Sequence, residues 1–156
     1  MNIEIVADDL SEKEIVKLHN LVRESPLLKD LVKPISEVQG KQVFLSGPIT
    51  GVDGYKDKFA DAIEVIRALG ASAIFNPAAK IPDNAEREEA MRTCLFNLTA
   101  YNCVVMLPGW RDSEGACFEY ATSEICGIPH YELKELITKS VLQQIKEGED
   151  DSDESV

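Results

Sequence analysis

The stretch from Cys103 to Glu119 holds the residue types best suited to chemistry. It begins with the apolar, β-branched run CVVML, which is too short for a helix and predicts a strand buried on both faces. A Pro-Gly pair then breaks the strand, and Asp112 and Ser113 are candidate N-cap residues for a helix that follows. Because ligands bind at the carboxyl ends of parallel strands, Glu119, early in that helix, is a candidate catalytic carboxylate facing a crevice.

A glycine-containing loop, SGPITG, follows the first predicted central strand at residues 42–45. Gly47 and Gly51 permit close backbone approach, and Ser46 and Thr50 add hydroxyl groups at the carboxyl end of the strand. The loop is neither a Walker loop nor a GxGxxG fingerprint. A ligand-binding loop and a structural turn are therefore both open interpretations.

Strands and helices alternate through the rest of the core. The order is β-α-β-α-β-α-β-α, which predicts a parallel sheet of about four or five strands with helices on both faces. The other predicted elements are a helix at 55–69, a strand at 72–75 ending in Asn76-Pro77-Ala78, a helix from about 85 towards Tyr101, a strand at 128–131 and a helix at about 133–146.

The two ends of the chain differ from this core, which we place at residues 40–146. Residues 1–39 predict a helical N-terminal extension, because Ser11 and Glu14 form a capping box ahead of apolar residues at helical spacing. Residues 147–156 carry six acidic residues of a chain with net charge −12, and they predict a disordered tail. This tail is read either as a solubilising segment or as an arm for a basic protein partner.

Composition excludes several classes of protein. With 156 residues and 44% hydrophobic content, the chain fits one globular domain. No apolar run approaches the ~20 residues of a membrane span, and no signal peptide is recognisable, so a cytoplasmic protein that does not enter membranes is expected. The acidic balance disfavours coating of DNA or RNA. The four cysteines lack CxxC spacing, which favours reduced structural thiols over a metal site.

Four short motifs in order resemble the nucleoside 2-deoxyribosyltransferase-like superfamily, and most closely its small DUF4406-type branch, which is common in phages and prophages. They are FLSGPITG at 44–51, NPA at 76–78, MLPGW at 106–110 and SxGAxxE at 113–119. The resemblance covers about residues 41–135. It implies a flavodoxin- or Rossmann-like three-layer sandwich. It also implies a protein that uses no metal or organic cofactor and that is often oligomeric.

The resemblance also implies cleavage of an N-glycosidic bond, or deoxyribosyl transfer, on a nucleoside or nucleoside monophosphate. Glu119 matches the nucleophile, which forms a glycosyl-enzyme that is resolved by water or by another base. The substrate-binding positions that it implies are Ser46, Gly47, Pro48, Thr50, Gly51, Asn76, Gly109, Trp110, Ser113, Gly115 and Ala116.

The sequence departs from the family pattern at three positions. Cys94 stands where an aspartate protonates the leaving base, Phe44 where a tyrosine orients the nucleophile, and Asn102 where a second aspartate is usual. Asn97 and Asp112 are candidate substitutes for the missing acid, which is typically worth ~10²–10⁴-fold in rate. Two alternatives to the enzyme therefore stay open: a nucleotide-binding protein without turnover, and an interaction protein that uses the acidic tail and the N-terminal helix.

Four further side chains have two interpretations each. Trp110 either stacks on a base or packs at the edge of the sheet. Arg92 and Arg111 either meet a phosphate as planar donors or are solvated. His130, at a strand end, is either a functional imidazole or, as favoured here, a structural histidine.

Overall fold

The computed structural model describes residues 36–142 together with Lys13, Glu14 and Lys17, which are helical. The chain divides into two compact units, one comprising residues 38–133 and the other residues 1–37 with 134–156. Most of the predicted N-terminal extension and the whole acidic tail lie outside the described residues. The motifs with chemical potential all fall in the unit at 38–133.

A parallel sheet of four strands forms the centre of this unit. The strand order is β2-β1-β3-β4, so β1 and β3 are the inner pair. The strands are β1 (Gln42–Ser46), β2 (Ala73–Phe75), β3 (Cys103–Met106) and β4 (His130–Glu132). The predicted α/β fold with a parallel sheet is confirmed, and the boundaries differ from prediction by up to three residues.

Helices connect the strands. They are α1 (Tyr55–Ala68), α2 (Pro77–Lys80), α3 (Arg87–Leu98) and α4 (Glu114–Ile125), with a 3-10 turn at Trp110–Asp112 before α4. The short helix α2 lies where a strand-end loop was expected. It forms because the Asn76 side chain accepts a hydrogen bond from the Ala78 amide and Pro77 supplies the helical φ at the first position.

The direction of the crossovers assigns the helices to the two faces of the sheet. The chain passes from β1 to β2 in one direction and from β2 to β3 and β4 in the other, so right-handed crossovers put α1 on one face and α3 and α4 on the opposite face. The helix α1 buries the stripe Phe59, Ala62, Val65 and Ile66. The face that carries α3 and α4 has its own cluster, built from Phe44, Phe75, Cys94, Leu98, Val104, Met106, Trp110 and Ala116.

Residues 133–142, which follow β4 in the chain, are helical. In the second unit this helix buries Leu136, Ile137, Ser140 and Val141, and Lys139 Nζ lies 3.2 Å from Glu37 Oε1. Within residues 36–142, no helix is long and apolar enough to cross a membrane.

Candidate functional site

The carboxyl ends of β1 and β3 form the point where the chain changes direction across the sheet. Ser46, the last residue of β1, pairs in register with Met106, the last residue of β3. Connections leave these two neighbouring strands on opposite faces, and a switch point of this kind is where α/β proteins usually bind their ligands. Ser46 points to the face that carries α3 and α4, because side chains alternate along a strand and Phe44 belongs to the cluster on that face.

Glu119 lies buried near this point. It projects inward from α4 and is only 6% exposed. Its Oε1 accepts a hydrogen bond from Ser46 Oγ at 3.3 Å, and its Oε2 is buried without a partner among the described residues. Burial raises the pKa of the Glu119 carboxyl from 4.5 to about 8, and the Ser46 hydroxyl opposes this shift. Near pH 7 the group is therefore mostly a neutral carboxylic acid.

The start of α4 places Glu119 at this position. The Ser113 side chain caps the helix by accepting a hydrogen bond from the Ala116 amide at 3.3 Å, as its predicted N-cap role requires. Ala116, Glu119 and Ser123 then fall at spacings of three and four, so they share the buried face of α4. A glutamate on the inward stripe of a helix is unusual, because burial of an unpaired charge is costly.

Cys94 approaches the same carboxyl from α3. It is 8% exposed, and burial together with the Glu119 charge raises the pKa of its thiol to about 12. The thiol is thus a much weaker acid than an aspartic acid at that position. Of the candidate substitutes, Asn97 donates its side-chain amide to the carbonyl oxygen of Thr93 at 2.8 Å, and Asp112 is exposed.

The hydroxyl that meets Glu119 comes from an unexpected residue. Phe44, at the position where the resemblance implies an orienting tyrosine, is fully buried and stacks on Phe75 with ring centres 5.0 Å apart. Ser46 lies two residues further along β1, on the same face, and supplies the hydroxyl instead. We expected Ser46 to bind substrate and did not anticipate its contact with Glu119. Strand alternation from Phe44 was the signal that could have indicated it.

The loops after β1 and β3 touch each other above the strand ends. A Cβ at Gly47 would lie 2.8 Å from Leu107 Cβ, and one at Gly109 would lie 3.4 Å from Pro48 Cγ. Gly109 also has φ +83°, a value that favours glycine. Of the other predicted loop residues, Thr50 and Gly51 are exposed.

The contact between these two loops predicts opposite changes in the free energy of unfolding for two Gly→Ala substitutions. We expect Gly47→Ala to lower the free energy of unfolding by about 1–3 kcal/mol, because the added methyl group overlaps the Leu107 side chain. Gly115→Ala is the matched control: its Cβ would meet only Met91 Sδ at 3.9 Å, and alanine in a helix gains about 0.5–1 kcal/mol over glycine. Urea denaturation of both variants measures their free energies of unfolding. Equal values for the two variants would contradict the close approach of Gly47 to Leu107.

Trp110 is a packing residue in this arrangement. It is 9% exposed, its ring stacks on Tyr120 at 4.6 Å, and the Arg111 guanidinium lies 4.6 Å from its ring centre. Its Nε1 donates to Glu132 Oε1 at 3.1 Å, and Arg111 forms an ion pair with the same carboxylate at 2.8 Å. A base could stack on Trp110 only by displacing one of these neighbours, so a role of Trp110 in binding stays a prediction.

His130 also has structural contacts. Its Nε2 lies 3.5 Å from Glu124 Oε1, and its ring lies 4.4 Å from that of Tyr120. Arg92 is exposed on α3. These positions agree with the structural interpretation of His130 and leave a phosphate-binding role of Arg92 as a prediction.

An open cleft of about 430 Å³ lies at the carboxyl end of β2, on the same edge of the sheet as Ser46. Asn76 lines it, as do Lys56 and Asp83, and Glu119 does not. Asp83 closes one side by accepting hydrogen bonds from Tyr55 Oη and Lys56 Nζ, each at 3.0 Å. Across the part of the chain that the structure describes, no three His, Cys, Asp or Glu side chains are grouped so as to hold a metal ion.

A family model described as a domain of unknown function (DUF4406) matches residues 41–131, which is more than half of the chain. The chain belongs to the DUF4406 family. The DUF4406 match runs from β1 into β4 and includes Ser46, Cys94 and Glu119, so the whole candidate site lies within the family domain. Comparison with curated proteins and with solved structures gives no match.

Proposed function

We propose that this DUF4406 protein binds a nucleoside or nucleoside monophosphate at the carboxyl ends of β1 and β3 and breaks its N-glycosidic bond through Glu119. One observation carries the proposal: Glu119 is a buried carboxyl with Oε1 held by Ser46 and Oε2 without a described partner, at the point where α/β sheets bind ligands. The resemblance of the surrounding motifs to the deoxyribosyltransferase-like superfamily supports the same reading.

The geometry favours Oε2 as the attacking atom. Ser46 restrains Oε1, whereas the lone pairs of Oε2 accept no hydrogen bond among the described residues. Because Oε2 is buried, the reaction requires the Glu119 side chain to be uncovered before the anomeric carbon of the sugar can reach it. As the new C–O bond forms, the C–N bond breaks and its electron pair leaves with the base, which takes up a proton from solvent. Water, or the N–H group of a second base, then attacks the anomeric carbon of the glycosyl-enzyme, loses a proton to solvent and restores the Glu119 carboxylate. The reactive form of Glu119 is the carboxylate, which is the minority form at pH 7 because the pKa is about 8.

Base release tests the proposal. A panel of nucleosides and deoxynucleoside monophosphates is incubated with the wild-type protein, with Glu119→Gln and with Glu64→Gln, and free base is measured by chromatography. Glu64 is an exposed glutamate of α1, so its variant is the matched control. We expect release by the wild type and the control, and a loss of roughly 10³-fold or more in Glu119→Gln, as for removal of other nucleophiles. Equal rates in all three proteins would contradict a nucleophilic role.

The arrangement of Cys94 favours a second candidate function, nucleotide binding without turnover. Its neutral thiol stands near Glu119, where the resemblance implies an acid, and a departing base that receives no proton leaves slowly. In this case the same ligands would raise the melting temperature of the protein without any base being released. Calorimetric titration of the wild-type protein with the same panel measures that binding directly.

Cys94→Asp separates the two candidates. A carboxylic acid at this position is expected to raise base release by about 100-fold, the lower end of the effect of a positioned general acid. Cys94→Ser is the control, because it is polar and of similar size but is not an acid of comparable strength. Circular dichroism tests whether both variants fold. An equal rise in Cys94→Ser would exclude proton donation as the cause, and binding without release in every variant would favour the second candidate.

A further inference from the structure

Glu119 is covered in this structure. The residue is 6% exposed, and its Oε2 atom is buried. Neither the cleft beside Asn76 nor a second cleft near His130 includes Glu119. Because Ser46 holds the carboxyl at the end of β1, a ligand that comes from the carboxyl edge of the sheet meets the loops after β1 and β3 first. One of these two loops therefore has to move before a ligand can reach the carboxyl.

The loop after β3 is fixed by side chains as well as by its backbone. Trp110 Nε1 donates to Glu132 Oε1 at 3.1 Å, and Arg111 forms an ion pair with the same carboxylate. The Ser113 amide donates to the Trp110 carbonyl oxygen at 3.0 Å, and the Ser113 side chain caps α4. Movement of this loop would break these contacts and would uncap the helix that carries Glu119.

The loop after β1, at residues 48–54, is held by far fewer contacts. Its backbone forms one hydrogen bond within the loop, from the Val52 amide to the Ile49 carbonyl oxygen at 3.2 Å. Across the described part of the chain, no side chain of this loop is hydrogen-bonded or ion-paired. Pro48 lies against Gly109, where an added Cβ would meet its Cγ atom at 3.4 Å. A segment with so few polar contacts opens at a lower free energy than the sheet beneath it.

Two glycines set the path of this loop. Gly51 has φ +73° and Gly54 has φ +72°, and an added Cβ at either position would meet no atom within 4 Å. These positions therefore favour glycine for its backbone conformation and not for lack of space. Directly after them, Tyr55 Oη and Lys56 Nζ each donate to Asp83 at 3.0 Å, which holds the first turn of α1. The loop thus lies between two held ends, β1 and the start of α1.

We propose that residues 48–54 form a lid over Glu119, which opens by rotation of the backbone at Gly51 and Gly54 and admits a ligand from the carboxyl edge of the sheet. In the closed lid, Pro48 lies on the loop after β3 and the carboxyl is shielded from water. In the open lid, the carboxyl is accessible. This inference rests on the proposed function for the class of ligand, a nucleoside or nucleoside monophosphate, but opening of the lid can be measured without turnover.

Chemical labelling of the carboxyl in the full chain measures lid opening. A water-soluble carbodiimide with glycine ethyl ester converts an accessible carboxyl group to an amide, and mass spectrometry of peptides locates the labelled residue. Gly51→Ala should raise the labelling rate of Glu119 about 10-fold, because an L-residue disfavours the left-handed backbone of the closed lid by about this factor. Gly54→Ala is a second variant with the same expected result.

Gly40→Ala is the matched control. Gly40 precedes β1, at the opposite end of that strand from the lid, and it has φ +71° with no atom within 4 Å of an added Cβ. The substitution therefore lowers the stability of the folded state by the same backbone effect, but it does not change the lid. The labelling rate of Glu119 should stay at the wild-type value, and labelling of the exposed Glu64 provides the reference rate in every protein.

Two results would overturn the proposal. Equal labelling rates of Glu119 in Gly51→Ala and Gly40→Ala would show that the carboxyl becomes accessible without the lid. Labelling of Glu119 as fast as that of Glu64 in the wild type would show that no lid covers it.

Base release separates the lid from the proposed function. Release by the wild type together with equal labelling rates in the two variants would contradict the lid and leave the proposed reaction in place. Faster labelling in Gly51→Ala, without base release from any nucleoside or nucleotide, would support the lid and contradict the proposed reaction.

Discussion

The free energy of unfolding of Glu119→Gln, relative to that of the wild type, is expected to be about 4 kcal/mol higher at pH 9 than at pH 5. Burial raises the pKa of the Glu119 carboxyl to about 8, whereas its usual value is 4.5. The folded state therefore holds this proton more tightly than the unfolded state, and wild-type stability falls as the pH rises between these two values. From pH 5 to pH 8 the change amounts to about 4 kcal/mol, at about 1.4 kcal/mol per pH unit. Glutamine has no proton to lose, so its variant lacks this dependence.

Urea denaturation at pH 5 and pH 9 measures this effect. The quantity to compare is the difference in the free energy of unfolding between variant and wild type at each pH, because every other titrating group contributes equally to both proteins. The exposed control Glu64→Gln should show the same difference from the wild type at the two pH values. A difference for Glu119→Gln that does not change with pH would show that the carboxyl is not held neutral in the folded state.

The rate of base release is expected to rise with pH. If the Glu119 carboxylate is the nucleophile, kcat/KM follows its ionised fraction, so it should increase about 100-fold between pH 6 and pH 9 and level off above the pKa of about 8. A general acid at the same position would give the opposite slope. The profile therefore distinguishes the two roles of a carboxyl that a single rate at pH 7 cannot separate.

The Ser46→Ala variant provides a second test of the dependence of base release on pH. The groups that face the carboxyl are the Ser46 hydroxyl from β1 and the Cys94 thiol from α3. Because the Ser46 hydrogen bond lowers the pKa of Glu119, its removal should move the rise in rate to higher pH while the limiting rate changes less. The carbon-13 chemical shift of the Glu119 carboxyl, followed during a pH titration, reports the same pKa without any turnover. An unchanged midpoint in Ser46→Ala would contradict the role of this hydroxyl.

Local sequence determined most of the elements. The apolar, β-branched run that begins at Cys103 forms the strand β3 (Cys103–Met106), and all four of its residues are buried, as the run predicts. Ser113 caps α4, as its position before a helical pattern predicts, since the capping contact spans only three residues. Elements of this kind depend on near neighbours in the chain, so the sequence predicts them with few errors except at their first and last residues. The short helix α2, which begins at Pro77, was missed because a cap and a proline within four residues also suit a turn.

The candidate site depended on tertiary structure. The sequence indicated Glu119 as a carboxylate near a crevice, but its partner Ser46 lies 73 positions away and meets it only because β1 and β3 are neighbours with α4 on the matching face. The same packing buries the carboxyl and raises its pKa, and it places Trp110 between Tyr120 and Arg111 instead of leaving its ring open. Contacts between distant residues follow from strand order and crossover handedness, which the spacing of residue types along one chain does not specify. The sequence by itself thus determined which residues could react, and only the tertiary structure decided their neighbours and their protonation.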